Sequence, residues 1–556
     1  MVREKSTSIL KVGGFLLGCG GLMAASSPAM AAYGYGGEDA PFFNFNYSGY
    51  LRSTIAVSLQ DQDETAADDK WRMTQAELTL NLDFDIKTGP LNWKVITRFD
   101  KEEQTDYLDD IQERMDSVGL NGNYSGSSPQ RGDFMDQYET TDEVFDWLRE
   151  IYFDVNLFDD RLLLRVGRQQ LVWGESDFFQ AMDVVSGYDY RGRLFYENNE
   201  EWRKPLMLFN FNVDLYELGG SLNFYIRPGW DREEDMGSSY NIEGGRWIPH
   251  PYRGVDFTQF TDSYNEGHKS GDWDDMTYGI RWNGSWGSIG YSFAYLKTFN
   301  PAPVVNPNEL RGSFGIDVTE GPAQIYGGQA PNASILGDWM YPEIDVYGFT
   351  INGFNSAMDA TLSAEIAYIP NKPYNYGYLS SDLPGWEGVK EKDTINIMLR
   401  IDKEFKWMEA LGTHRPSLSS IQLFDTWILA HDDDDELVEF ASFGAPKKEH
   451  QAYLTLFTLL NFHRDTINPS FVIGTDLSRG GGFAIPAVEF VWGDDWRLKV
   501  EADLWWNDGD VKKVCDANCV SNGEGSALLG KRENSAGFMD WFAEDNQLVF
   551  KLSRQF

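Results

Sequence analysis

The chain has 556 residues, a net charge of −40, and 19 Trp, 27 Tyr and 36 Phe. So much aromatic side chain excludes disorder despite the charge, and the acidity excludes a nucleic-acid binder. Beyond the N-terminus no apolar run approaches the roughly 18 residues that a membrane-spanning helix needs, so any membrane crossing rests on strands.

Arg3, Lys5 and Lys11 flank the start of an apolar, Gly-rich core from Val12 to Ala25, and Ala29-Met30-Ala31 is a small-x-small cleavage site. Residues 1–31 read as a secretory signal cut between Ala31 and Ala32. Leu16-Leu17-Gly18-Cys19 offers lipoprotein cleavage as the alternative. Residues 32–43 read as an N-terminal periplasmic segment and 44–556 as one domain.

In Thr74–Lys87, Ala76, Leu78, Leu80, Leu82, Phe84 and Ile86 alternate with polar residues. Such length exceeds the usual sandwich strand and matches the ten or so residues of a tilted membrane strand. Gly89-Pro90 makes a turn, and Trp93, Val95, Thr97 and Phe99 then alternate with Lys94, Ile96, Arg98 and Asp100. The same unit recurs around 150–157, 162–168, 277–282, 395–402 and 496–506. Strands are predicted at 44–59, 71–87, 91–103, 144–158, 161–171, 206–214, 218–227, 274–284 and 288–298. Nine more follow at 342–353, 359–369, 392–404, 418–430, 449–461, 468–477, 483–493, 496–507 and 546–556. That makes about 18, with sixteen as the alternative, because 206–227 and 468–493 are weakly patterned and Pro486 interrupts one segment.

Connections alternate short and long: 88–90, 159–160, 215–217 and 285–287 against 104–143, 172–205, 228–273 and 299–341. Short periplasmic turns and long extracellular loops of an antiparallel up-and-down transmembrane β-barrel have this parity. A soluble all-β chain has no reason for it. Leu548, Phe550 and Leu552 share one face of a strand that runs to a terminal Phe556. This end resembles the closing strand of Gram-negative outer-membrane barrels, which the barrel-assembly machinery reads. It implies export to the cell outer membrane and contact with lipopolysaccharide, whose bridging cations an acidic surface suits.

Inside such a barrel the polar faces line the pore. The candidates are Glu77, Asp83, Asp85, Lys94, Arg98, Glu150, Asp154, Arg165, Arg168, Arg281, Arg400, Asp402, Glu501 and Asp503, with Asp100, Glu365, Lys499 and Lys551 on the same faces. They form either a charge-paired wall or a field that favours cations and neutral solutes. Asp106–Leu120 carries Tyr107, Leu108, Ile111, Met115 and Val118 near helical spacing and reads as a helix at the pore mouth. The aromatic loop 228–273 either folds inward or packs at the rim. Cys515 and Cys519 are expected to form a loop disulfide in an oxidising compartment.

Leu164-Arg165-Val166-Gly167-Arg168-Gln169-Gln170-Leu171-Val172-Trp173-Gly174-Glu175-Ser176 resembles a motif of a proteobacterial outer-membrane family known mainly as a domain of unknown function. The resemblance implies a channel for hydrophobic or amphiphilic small molecules, and periplasmic transport partners are a further expectation. A looser Gly-Arg-Gln, aromatic, Gly pattern is shared with alginate-export porins, whose arginine-lined pores carry a polyanion; the acidic excess here departs from them. A cation-preferring porin for polar solutes, and a structural or adhesive surface barrel, are the other readings. Catalysis is not expected: none of the six His sits in a nucleophile motif, and neither Gly-x-Ser-x-Gly nor His-Glu-x-x-His occurs. No cofactor or metal is expected, since there is no Cys-x-x-Cys-His and the run Asp432–Asp435 lacks the spacing of a calcium loop.

Overall fold

The computed structural model describes residues 42–62, 68–117, 134–176, 179–192, 199–241, 244–248, 253–254, 273–306, 338–377, 385, 387–439, 445–506, 539, 542–543 and 545–556. Alternating segments become strands because one face can meet an apolar surround while the other meets a polar interior. The first six are β1 (Phe43–Ser58), β2 (Met73–Thr88), β3 (Leu91–Glu102), β4 (Leu148–Leu157), β5 (Leu162–Gln169) and β6 (Leu206–Leu215). Next come β7 (Gly220–Arg227), β8 (Thr277–Trp286), β9 (Ile289–Phe299), β10 (Glu343–Asn355), β11 (Ala360–Tyr376) and β12 (Gly388–Phe405). The last are β13 (Ser417–Ile428), β14 (His450–Leu459), β15 (Ile467–Asp476), β16 (Gly482–Trp492), β17 (Trp496–Trp506) and β18 (Gln547–Gln555).

All eighteen belong to one sheet. Each pairs antiparallel with the next, and β18 returns to β1 with Ser58 opposite Gln547 and Tyr50 opposite Gln555. Phe556 extends the seam, exchanging two 3.0 Å backbone hydrogen bonds with Gly49. The sheet is therefore a closed barrel without a free edge. The sixteen-strand alternative falls, because 206–227 and 467–492 each supply two strands. Pro486 is accommodated by a break: pairing of β16 with β17 steps from Ala484–Leu504 to Ala487–Glu501, where the missing N–H has no partner to disappoint.

The expected parity of connections holds from β1 to β10 and then weakens. Residues 89–90, 158–161, 216–219 and 287–288 link strands at one end, against 103–147, 170–205, 228–276 and 300–342 at the other. Later the long side includes the brief 477–481 and the short side the broader 406–416. β11 and β12 also run past their predicted ends, to Tyr376 and from Gly388, with a register shift between Ile369 and Lys372.

The outward face is apolar. Phe293, Tyr347, Ile366, Leu399, Ile421, Phe471, Phe490 and Phe550 stand exposed on successive parts of the ring. Trp286, Trp407, Trp492 and Phe556 are exposed near the short turns, and Trp71, Trp230 and Trp273 near the long connections. The buried residues lie inside. Leu171, Trp173, Met182 and Val184 from the connection 170–205 pack on Leu296, Val346, Ala367 and Ile369 of β9 to β11. Burying each Leu, Ile, Val or Met side chain among them contributes about 1.5–3 kcal/mol. The predicted helix is α1 (Asp106–Ser117), with Asp106 and Asp109 in its first turn where the helix dipole favours acids. Its Tyr107, Leu108 and Ile111 pack with Phe134 and Tyr138, and Asp110 pairs with Arg72 at 2.7 Å. Val118 and Leu120 lie outside the described residues.

Candidate functional site

The lumen is crossed by the connection from β5 to β6, described at 170–176, 179–192 and 199–205, and the end of β5 aims it inward. Gly167 has φ +135°, and a Cβ there would sit 2.2 Å from the Ile151 carbonyl oxygen, so the position requires glycine. Arg165 beside it donates to both carboxylate oxygens of Asp154 at 2.7 and 2.9 Å. Arg168 donates to both of Asp235 in the connection 228–276, at 2.8 and 3.0 Å. Such paired, charge-assisted bonds fix direction as well as position. Gln170 donates to Glu150 at 3.0 Å, and Trp173 Nε1 to Asn223 at 2.8 Å.

Six strands further round, buried Glu365 on β11 receives the segment. It accepts the backbone N–H of Glu175 at 2.8 Å and of Met182 at 2.6 Å. Arg400 on β12 donates to the Glu175 carbonyl at 3.0 Å. Met182 seats over Gly348, where a Cβ would lie 2.0 Å from its sulfur. Phe179 reaches β13 and β14, stacking on Tyr453 at 4.5 Å and meeting Phe424 edge-on at 5.1 Å. β14 is diametrically opposite β5 in a ring of eighteen, so the segment spans the barrel.

The chain then returns as a two-faced ribbon. Tyr188 and Tyr190 line a cavity of about 230 Å³ with Phe179, Tyr240, Phe424 and Tyr453. Asp189 and Arg191 face a cavity of about 120 Å³ walled by charged groups of β2 to β5 and the loops. Burial would raise the Asp189 carboxyl, but Arg191 and Lys204 overcome it and hold it well below the usual range. Burial draws the Lys204 ammonium down to about 8, against the pull of Asp189. Arg203 pairs with Asp183 in the same ribbon at 2.5 Å. Glu201 ends the crossing on the wall of β1 and β3. Its carboxylate takes Arg52 at 2.6 and 3.0 Å and Arg98 at 3.4 Å. Glu201 also borders a third cavity of about 240 Å³, bounded by Arg52, Arg497, Lys499 and Lys551 with Glu489.

A family described as "Protein of unknown function (DUF1302)" matches residues 13–522. The chain belongs to that family. A search of curated proteins found no match. Among solved structures, OccAB3 of Acinetobacter baumannii is 8% identical with a TM-score of 0.42, covering 92% of this chain and 99% of that one. OpdK of Pseudomonas aeruginosa with vanillate is 9% identical, TM-score 0.39, covering 92% and 98%. The outer membrane channel DcaP of Acinetobacter baumannii is 9% identical, TM-score 0.36, covering 94% and 100%. Scores this low describe a distant likeness of fold alone.

In this DUF1302 chain the other sequence-predicted residues pair mostly with one another. Lys94 bridges Asp83 at 2.6 Å and Asp85 at 3.0 Å, Arg98 takes Asp100 at 2.7 Å, and Arg400 takes Asp402 at 2.8 Å. Glu501 lies between Lys551 at 2.6 Å and Lys499 at 3.0 Å. Glu77 is buried and accepts from Thr79 at 2.9 Å, and Asp503 is also buried. Arg281 has no ion pair among the described residues, and its Nε meets no acceptor. Cys515, Cys519, Ala31 and Ala32 lie outside the described residues. Pairing with the preceding strand makes Glu150 and Asp154 the expected partners of both arginines. Arg165 does take Asp154, whereas Arg168 takes Asp235, a loop residue that no periodicity marks. Arg52 stood at a polar position of a predicted strand, but Glu201, Asp183 and Asp235 carry no local signal.

Proposed function

We propose that the protein is an outer-membrane channel for the passive passage of amphiphilic small molecules, routed along the aromatic side of a lumen that residues 170–205 divide. The observation that carries this reading is the division itself, with Tyr188 and Tyr190 on one cavity and Asp189 and Arg191 on the other. The apolar outer face suits lipid, and the exposed Trp near both ends suits the two membrane interfaces. On this reading the long connections meet lipopolysaccharide, and the strand ending at Phe556 is what the assembly machinery reads after removal of the signal. A cation-preferring pore draws less support, because Asp83, Asp85, Asp100, Asp154, Asp402 and Glu501 are each paired with a neighbouring Lys or Arg.

The test is single-channel conductance of the purified protein in a planar bilayer under a salt gradient. Small steps that an added amphiphile blocks are expected. Large, steady, cation-selective steps would mean an open aqueous pore and refute the divided lumen.

A further inference from the structure

The aromatic cavity has one charged group at its wall whose charge nothing answers among the described residues. Lys372 follows the register shift in β11 and lines the cavity. Its ammonium lies 5.5 Å from the centre of the Tyr374 ring and has no carboxylate partner among the described residues. Lys447, 5.9 Å from the same ring, adds a second positive charge nearby. Lys392, opposite Lys372 in the ladder, already holds Asp435. Among the described residues the only acid along the cavity, Asp425, is on the other face of β13, where its carboxylate takes His450 at 2.8 Å. A half-buried ammonium beside another cation is costly unless an anion arrives.

We infer that this cavity is a binding site for amphiphilic monoanions, in which an apolar or aromatic body lies against Phe179, Phe424 and Tyr453 and a carboxylate meets Lys372. This rests on the channel reading and gives it a substrate class. The volume of about 230 Å³ is below the roughly 300–1,000 Å³ of drug-sized sites and favours a single ring or short chain. Lys372 sets the sign and the aromatic wall sets the polarity. Neither alone distinguishes a carboxylate from inorganic anions or from neutral aromatics.

The test is titration calorimetry of benzoate, benzamide and chloride against the full folded protein in micelles, for the parent, Lys372→Gln and Phe179→Ala. Benzoate is expected to bind at least tenfold more tightly than benzamide, and chloride not at all. Lys372→Gln should weaken benzoate about tenfold to hundredfold, the range for a lost charge-assisted bond, and leave benzamide unchanged. Phe179→Ala should weaken both alike. The heat-modifiable gel shift reports that each variant folds. Equal binding of benzoate and benzamide, no binding of either, or a preference that survives Lys372→Gln would overturn the site. Benzoate selectivity in a protein that never conducts would leave the site standing and sink the channel reading. Benzoate-blind conductance would do the reverse.

Discussion

Glu201 is where the crossing segment is fastened to the wall of β1 and β3, and Glu201→Gln is the perturbation that should release it. The side chains of Arg52, Glu201 and Arg98 are 8%, 11% and 9% exposed, so solvent screens these pairs little. Gln keeps the shape and one acceptor but loses the charge. Two short bonds to Arg52 fall from the charged class, about 1.5–3 kcal/mol each, to the neutral class, about 0.5–1.5. Leaving Arg52 partly unanswered adds to this, for a total of roughly 3 kcal/mol. At about 1.4 kcal/mol per decade, the released state should become roughly a hundredfold more populated. In bilayer recordings that is a hundredfold rise in time spent at a higher conductance level. Arg52→Gln should give a similar change, and the double variant little more than either, because the two groups act as one contact. The reasoning fails if Glu201→Gln gates as the parent does, or if the two single changes simply add.

Arg246→Met strands the fully buried Glu102, whose carboxylate Arg246 holds at 2.8 Å, and should cost about 3–5 kcal/mol in urea unfolding; adding Glu102→Gln should recover most of it. Gly167→Ala places a Cβ on the Ile151 carbonyl at a φ that side chains avoid, so most of that variant should fail to reach the heat-modifiable form, whereas Gly219→Ala, left-handed at φ +70° but with open space around it, should fold at a cost of about 1 kcal/mol. Burial would raise Asp235, but Arg168 and Arg232 hold it well below the usual carboxylate range. Its stabilisation is therefore complete above about pH 4, the unfolded value, and is lost as pH falls through the folded one. Asp235→Asn should lower the urea midpoint at neutral pH and flatten the acid limb; an unchanged acid limb would clear Asp235 of that role.

The barrel was legible because membrane strands obey a rule of two: each residue answers to lipid or lumen by parity alone, as Ala76 to Ile86 do. Even the doubtful segments joined the ring, since closure gives a weak strand two partners. The crossing segment obeys no such rule. Trp173-Gly174-Glu175 has the composition of a turn, but Glu201 acquires its role from Arg52, 149 positions earlier, and Met182 from Glu365, 183 positions later. Lys372 was invisible for a subtler reason. It lies beyond the predicted end of its strand, where a register shift decides which way the side chain points.

Net charge misled most about the lumen. Residues 103–147 hold twelve acids against two bases and residues 228–276 eleven against four, so these two connections carry −17 of the chain's −40. The strand walls are by contrast close to balanced, with Lys94, Arg98, Arg165 and Arg400 each set on neighbouring acids. A solute inside feels groups within about 8–10 Å, the screening length at ordinary salt, and not the total. Along the aromatic route Asp425 is engaged by His450, and Lys372 has no carboxylate partner among the described residues. An acidic chain can thus present a locally basic path. On the proposed channel reading, selectivity follows from which residues the crossing segment leaves uncovered, and the composition that makes the chain acidic belongs mainly to its loops.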